Sequence, residues 1–179
     1  METVAIRDRK FSIYIESGEI QAAIARIAQK MDVDLKNMDV VFVPVLNGAF
    51  MFAADLFKRI TLNFQISFLK LSSYEATKST GKVRQLIGLN EELKNKTVVI
   101  IEDIVDSGNT LDTIIRLMKN FEPASIKIAT LLFKPDAYLF DHKLDYVGFQ
   151  VQDNFVVGYG LDYNGYGRNL GSIYKLIDS

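Results

Sequence analysis

The order of apolar and polar positions along the chain indicates strands that alternate with helices. Three apolar stretches rich in β-branched residues are typical of strands buried on both faces of a sheet, at 40–45, 98–101 and 125–133. Between and after them, apolar residues recur with the spacing of one face of an amphipathic helix, at 49–57 and 111–118. This alternation predicts an α/β fold in which the strands are parallel.

Shorter patterns complete the predicted secondary structure. Phe11, Ile13 and Ile15 alternate with polar residues, which predicts a half-buried strand. Ser17 is suited to cap the helix that follows, and Glu19 lies in its first turn. Further strands are predicted at 65–71, 83–88, 146–151 and 155–158.

The stretch at 98–111, VVIIEDIVDSGNTL, carries the densest group of candidate functional residues. A buried strand is followed by an acidic turn with Glu102, Asp103 and Asp106, and a loop of small or hydroxyl-bearing residues leads into a helix. Ligands of open α/β sheets bind at the carboxyl ends of strands, and a helix N-terminus offers N–H groups that suit a phosphate. The acids suit Mg²⁺ or sugar hydroxyls. The alternative is a solvated acidic turn with an ordinary helix cap.

Composition narrows the class of protein. The 179 residues suit one domain, and a formal net charge of −1 gives no basic excess that would imply a nucleic acid partner. The absence of cysteine excludes disulfides and thiolate chemistry. The N-terminal residues lack an apolar signal segment, and no apolar run approaches the roughly 18 residues of a membrane span. We therefore expect a soluble cytoplasmic protein that does not contact membranes.

The run at 98–110 resembles the phosphoribosyl-diphosphate motif of the type I phosphoribosyltransferases: four apolar residues, two acids, two apolar residues, an aspartate and a Ser/Thr-Gly loop. The resemblance covers residues 40–174 as three separated motifs in the family order. It implies an α/β fold with a central parallel five-stranded sheet flanked by helices. It also implies a single domain over 1–179, with a core at about 36–150 and a small hood from 1–20 and 151–179.

The resemblance implies a role for each polar residue of this run. Glu102 and Asp103 would lie near the ribose hydroxyls and their Mg²⁺ ion, and Asp106 would be the catalytic residue that accepts the proton from purine N7. The 5′-phosphate would be bound by Asp106, Ser107, Gly108, Asn109 and Thr110.

The turn at Leu46, Asn47 and Gly48 joins another predicted strand and helix, and it should lie at the same sheet edge as the acids. In the family, this loop binds the leaving diphosphate through backbone groups and often contains a cis peptide, here between Leu46 and Asn47. The family commonly has a lysine and a second glycine where this chain has Asn47 and Ala49. The alternative is an ordinary strand-to-helix turn without a ligand.

The longest polar segment, SSYEATKSTGK at 72–82, is either a solvated hairpin loop or a lid over the site. Ribosyl transfer passes through a cationic sugar, and a closing loop would exclude the water that captures it. The family has such a loop, with a Ser-Tyr pair at the positions of Ser73 and Tyr74.

The run at 155–170, FVVGYGLDYNGYGRNL, resembles the hood of the hypoxanthine-guanine branch of the family. This implies that Phe155 stacks on the purine, that the backbone of Val156 contacts the base edge, and that Asp162 helps to hold a metal ion on the diphosphate. Arg168 would contact that diphosphate. Seen alone, Phe155 would be a core aromatic residue.

Lys134 follows the predicted strand at 125–133 and would lie over the ligand edge of the sheet. In the related transferases, the lysine here donates to the 6-oxo group of the base. Without the family, it would be a surface cation whose stem packs on apolar neighbours.

Together the resemblances predict a purine-salvage glycosyltransferase with Mg²⁺ as its cofactor. It would transfer 5-phosphoribosyl from the 1-diphosphate donor to hypoxanthine, and also to guanine, and would associate as a homodimer or homotetramer. Lys134 argues against adenine, while xanthine stays open. The other alternative is a regulator of this fold that binds nucleotide or RNA without catalysis; it should show a basic face or a lost carboxylate, and neither is visible.

Overall fold

The structure is a computed structural model that describes residues 2–72, 84–87, 89 and 91–177; the predicted lid residues Ser73 and Tyr74 lie outside this part. The strands are β1 (Thr3–Ile6), β2 (Arg9–Ile15), β3 (Val40–Pro44), β4 (Gln65–Ile66), β5 (Lys70–Ser72), β6 (Arg84–Ile87), β7 (Thr97–Val105), β8 (Ser125–Phe133), β9 (Tyr146–Gln150), β10 (Val156–Val157) and β11 (Ile173–Leu176). The helices are α1 (Ser17–Asp34), α2 (Phe50–Phe57) and α3 (Asn109–Lys119), and a 3₁₀ helix spans Pro135–Ala137.

Five parallel strands form the central sheet in the order β4-β3-β7-β8-β9, which confirms the predicted sheet. The central sheet has an apolar core on each face. Because side chains alternate across a strand, β7 contributes side chains to both of these cores. Val99 and Ile101 pack with α1 and α2, whereas Val98 and Ile100 pack with α3. Each such fully buried aliphatic side chain contributes about 1.5–3 kcal/mol to folding, so the middle strand is held firmly.

Strand β7 is longer than the apolar run predicted, and this corrects the expected acidic turn. Pairing with β8 continues beyond Ile101, with Glu102 opposite Thr130 and Val105 opposite Phe133. The ladder of backbone hydrogen bonds keeps this polar part of the chain extended. The first two acids are therefore strand residues, and only Asp106 lies in the loop.

The strand predicted at 65–71 is divided into two elements. After β4, the chain stays beside β3, where the Ser67 N–H donates to the Phe42 carbonyl at 2.9 Å and the Leu69 N–H donates to the Pro44 carbonyl at 3.0 Å. It then leaves the sheet, and β5 pairs antiparallel with β6. One segment thus serves both the central sheet and a hairpin.

Helix α1 begins at Ser17, so its N-cap is Glu16, one residue before the predicted cap. The Glu16 N–H donates to the Glu19 carboxylate at 2.9 Å, which satisfies a backbone donor at the helix start. Ile20, Ile24 and Met31 are fully buried against the central sheet. No helix within the described ranges is both long and apolar enough to span a bilayer.

The chain ends meet in a second, antiparallel sheet of order β1-β2-β11-β10. We refer to β1, β2 and residues 151–177 as the hood. Its own apolar cluster is small, with four buried members: Ile6, Phe11, Val157 and Tyr174. Strands β1 and β11 were not predicted, because Val4 and Lys175 lie in short segments without a strong alternating pattern.

Candidate active site

Two adjoining cavities lie where the carboxyl ends of the central strands meet the hood. We call the first, of about 290 Å³ and lined by residues 102–111, the loop cavity. The second, of about 300 Å³, is the hood cavity, and its lining residues are Asp103, Ile104, Asp106, Lys134, Asn154, Phe155, Val156, Leu161 and Asp162. Asp103, Ile104 and Asp106 line both, so a ligand with two parts could occupy them together.

The loop cavity ends at the N-terminus of α3. Gly108 is the N-cap residue with φ +86° and has no side chain to cap the helix; the Asn109 N–H donates to the Ser107 hydroxyl at 3.5 Å. A Cβ on Gly108 would lie 2.4 Å from the Tyr138 ring, so only glycine fits both the left-handed backbone and the space. The hydroxyl of Ser107 accepts from the Asn109 side chain at 3.0 Å. First-turn N–H groups and the helix dipole therefore face the cavity, which suits a phosphate.

Glu102 and Asp103 are neighbours on β7, and strand alternation directs them to opposite faces. Glu102 is only 6% exposed and continues the face of Val98 and Ile100 towards α3. Asp103 faces the hood, where its carboxylate fills the space that a Cβ on Gly48 would need. Of the two acids, Asp103 is thus the one beside the predicted diphosphate loop.

Negative charge is disfavoured at both acids. Burial raises the pKa of Glu102 well above its usual range, and the neighbouring charge of Asp103 adds to this. Burial also raises the pKa of Asp103 to about 6, although backbone hydrogen bonds and Arg168 oppose the rise. A cation bound here would stabilise the ionised carboxylates, so the donor chemistry fits a hard divalent ion.

The turn after β3 is fixed by backbone contacts on both sides. The Val45 N–H donates to the Ile101 carbonyl at 3.0 Å, and the Leu46 N–H donates to the Leu69 carbonyl at 2.8 Å. The Leu46–Asn47 peptide bond is cis, as predicted. The hood lies directly on this turn, since a Cβ on Gly160 would lie 2.1 Å from the carbonyl oxygen of Gly48.

Arg168 and Asp162 form an ion pair at the hood side of this turn. Arg168 Nη1 also donates to the Gly160 carbonyl at 2.6 Å, and the Asp162 carboxylate accepts from the Gly165 N–H at 2.6 Å. Both charges also act on the pKa of Asp103, the arginine lowering it and the acid raising it. Arg168, Asp162 and Asp103 therefore surround one position next to Gly48.

Lys134 lies at the floor of the hood cavity with a buried side chain. Its Nζ donates to Asp106 Oδ2 and to Asp153 Oδ1, both at 2.8 Å. Burial opposes the charge, but these hydrogen bonds outweigh it and raise the pKa of Lys134. The lysine is thus a fixed cation inside the cavity and not the surface cation of the alternative interpretation.

Phe155 forms one wall of the hood cavity and is 49% exposed. Its ring lies 6.4 Å from Phe11 and 5.9 Å from Tyr163, nearly perpendicular to the tyrosine. Neighbouring Val156 is buried in strand β10 and contributes backbone to the same cavity. A half-exposed ring held from behind by two aromatic residues offers its other face to a flat ligand.

The structure brings together the predicted site residues that it describes, with Glu102 facing away from Asp103. It also adds residues that sequence reasoning missed: Ile104, Asp153, Asn154 and Leu161. Asp153 and Asn154 directly precede Phe155, and this proximity was the only available signal. The Nε2 atom of His142, the single histidine of the chain, lies 2.9 Å from Asp112 Oδ1, and His142 lines neither cavity.

Comparison with known proteins agrees with this geometry. The chain matches the family model described as phosphoribosyl transferase domain over residues 14–164. The chain belongs to the phosphoribosyltransferase family. The matched range contains the acids of β7, the loop before α3 and the diphosphate turn, so the family assignment covers the whole loop cavity.

Individual relatives are similar over nearly the full chain. The hypoxanthine phosphoribosyltransferase of Escherichia coli K12 is 39% identical over 168 residues, which cover 92% of this chain and 94% of that protein. The hypoxanthine-guanine phosphoribosyltransferase of Staphylococcus epidermidis is 41% identical over 160 residues, 89% of each chain. A crystal structure of a hypoxanthine-guanine phosphoribosyltransferase from Bacillus anthracis superimposes with a TM-score of 0.87 at 36% identity and covers 93% of this chain and 98% of that one.

Proposed function

We propose that this protein is a purine-salvage phosphoribosyltransferase that joins hypoxanthine, and also guanine, to the 5-phosphoribosyl group of its 1-diphosphate donor and releases diphosphate. The main support is the arrangement of the hood cavity. A fixed ammonium, a carboxylate and a half-exposed aromatic ring converge there, directly beside a loop suited to phosphate.

The loop cavity would hold the donor. Ser107, Gly108, Asn109 and Thr110 would bind the 5′-phosphate through backbone N–H groups at the start of α3. Asp103 would lie near the ribose hydroxyls, and Glu102 would support the same end of the strand from its other face. The backbone of Leu46, Asn47 and Gly48, together with Arg168, would bind the diphosphate.

Asp103 and Asp162 are the residues that would hold Mg²⁺, with Glu102 as the adjacent buried acid. Within the described ranges, no group of three or more acidic or histidine side chains is arranged to bind a metal alone. When bound, Mg²⁺ would neutralise the charge of the departing diphosphate.

The hood cavity would hold the base. Phe155 would stack on the purine, the backbone of Val156 would contact its edge, and Lys134 would donate to the 6-oxo oxygen. Lys134 contacts only Oδ2 of Asp106, so Oδ1 can accept the proton from purine N7. Because bond formation at N9 makes that proton more acidic, its acceptance stabilises the transition state more than the ground state.

We further propose the organisation that accompanies this activity. A single domain, with a core at about 36–150 and a hood from the chain ends, would place base recognition on the hood and donor binding on the core. The protein would work in the cytoplasm as a homodimer or homotetramer with small-molecule substrates only.

The test is a product assay on the purified protein with the diphosphate donor, Mg²⁺ and each of four bases: hypoxanthine, guanine, xanthine and adenine. We expect IMP and GMP, no AMP, and loss of activity when a chelator removes the metal. Product from adenine alone would overturn the assignment of Lys134. No product from any base, with binding of IMP intact, would indicate the non-catalytic regulator.

A further inference from the structure

Asp153 is an acid that belongs to none of the three motifs, yet its carboxylate reaches a buried cation. Lys134 Nζ donates to Asp153 Oδ1 and to Asp106 Oδ2 at 2.8 Å each. The lysine side chain is 8% exposed, whereas that of Asp153 is 70% exposed. The ammonium therefore lies between one acid on the floor of the cavity and one acid at its rim.

The two acids belong to different parts of the chain. Asp106 follows β7 and begins the loop that leads into α3. Asp153 lies between β9 and β10, two residues before Phe155. Since Phe155 forms a wall of the hood cavity, Asp153 links Lys134 to the segment that carries the aromatic ring.

The role of Asp153 as a second acid follows from the number of N–H donors on the Lys134 ammonium. A lysine ammonium has three N–H donors. The two acids take two of them, which leaves one for an oxygen of a ligand in the cavity. If Asp106 were the sole acceptor, the flexible lysine would follow that carboxylate, and nothing else would fix the direction of its remaining donors. A second charge-assisted hydrogen bond fixes the ammonium from outside the cavity.

We propose that Asp153 is a positioning residue of the base site. It holds the Lys134 ammonium at the 6-oxo position of the purine and leaves Asp106 able to contact N7. This role rests on the function proposed above. It concerns base recognition and not donor binding, and an exposed acid of this kind contributes little to stability.

The first experiment compares Asp153→Asn and Asp153→Glu with Asp136→Asn as a matched control. Asp136 is an exposed acid in the 3₁₀ helix after Lys134, and its side chain forms no ion pair in the part of the chain that the structure describes. We expect Asp153→Asn to raise KM for hypoxanthine about tenfold and to leave KM for the donor within about twofold. Asp153→Glu should recover most of the loss, and Asp136→Asn should behave as the wild type.

The second experiment tests whether Asp153 acts through Lys134. Introduced into a Lys134→Gln background, Asp153→Asn should change kcat/KM for hypoxanthine by no more than about twofold, because coupled residues are not additive. Full additivity would show that Asp153 acts independently of the lysine and would overturn the role.

The remaining outcomes separate this role from the proposed function. If the wild type forms IMP but Asp153→Asn equals Asp136→Asn, the positioning role is wrong and the function stands. If Asp153→Asn raises KM for both substrates and lowers Tm by more than about 4 °C, the residue is structural. If the wild type forms no nucleotide, the function and this role are both wrong.

Discussion

The two halves of the candidate site are built in different ways. The loop half consists of the end of β7 and the start of α3. Strand β7 pairs with both β3 and β8 up to Ile101, and with β8 alone as far as Val105. The hood half extends from a four-stranded antiparallel sheet whose own apolar cluster has four buried members. Its backbone includes glycines with positive φ, at Gly158, Gly160, Gly165 and Gly167. The first half thus belongs to the central sheet, while the second belongs to a separate sheet from the chain ends that packs on the core.

The two halves also differ in how far their side chains are exposed to solvent. Glu102 in the loop half is 6% exposed, whereas Phe155 in the hood half is 49% exposed. The phosphate and ribose are the same for every base, whereas a half-exposed aromatic ring can stack on the flat faces of related purines. We therefore expect substitutions in the loop half to change catalysis or donor binding strongly, and those in the hood half to change base affinity more moderately.

The largest expected effect is that of Asp106→Asn, at the boundary of the two halves. The amide keeps the shape and can still accept from Lys134, but it cannot accept a proton. We expect kcat to fall roughly 10²–10⁴-fold, with little change in KM for the donor. Steady-state kinetics with Asp136→Asn as the control measures this. A near-normal kcat would make Asp106 a structural part of the loop.

Gly108→Ala should damage the loop half selectively. The new Cβ would meet the rings of Tyr138 and Phe140 and would sit on a backbone at φ +86°. Left-handed backbone alone costs a non-glycine residue about 1–2 kcal/mol, so we expect KM for the donor to rise at least about tenfold. Gly18→Ala is the control, because its Cβ would meet nothing within 4 Å. Equal kinetics for the two variants would show that the loop can relax.

Phe155→Ala should damage the hood half selectively. Base–aromatic stacking contributes about 1–3 kcal/mol, so we expect KM for the purine to rise about tenfold while KM for the donor changes little. Phe121→Ala, which removes a partly exposed phenylalanine outside both cavities, is the control. If Phe155→Ala raised both KM values equally, its effect would be on folding and not on stacking.

The smallest expected effect is where the hood meets the helices of the core. The hydroxyl of Tyr159, in the hood, donates to Asp55 of α2, and Gln21 Nε2 donates to the same carboxylate at 2.9 Å. Burial alone would raise the pKa of Asp55, but these hydrogen bonds and Lys58 outweigh it and lower the pKa to about 2. The stabilisation is therefore present above the ordinary pKa of 3.8 and is lost as pH falls through 2.

Thermal unfolding of Asp55→Asn against the wild type tests this junction. We expect the variant to be less stable by roughly 1–2 kcal/mol at neutral pH, and the difference to shrink between about pH 4 and pH 2. Tyr159→Phe removes the same hydrogen bond from the other side and should cause a similar loss. A difference that does not depend on pH would show that Asp55 acts by packing alone.

Much of the fold could be predicted from the sequence because its signals are local. The apolar strands at 40–45 and 125–133 match β3 and β8 within a residue, and α3 lies where periodicity places it. By contrast, the polar end of β7 forms a strand only because β8 pairs with it. Strand β11 likewise depends on pairing with β2 from the other end of the chain, which no local pattern records, while β1 forms a short hairpin with β2.

The candidate site follows the same division. The acids, Gly108 and the hood aromatic could be recognised before the fold was known, because their types and their order are properties of the covalent chain. Only the tertiary structure directed Asp103 and Glu102 to opposite faces, because alternation acts on a strand and not on a turn. Only the fold brought Asp153 to within 2.8 Å of Lys134, because the parallel sheet and the hood converge at that edge and join residues that are 19 positions apart.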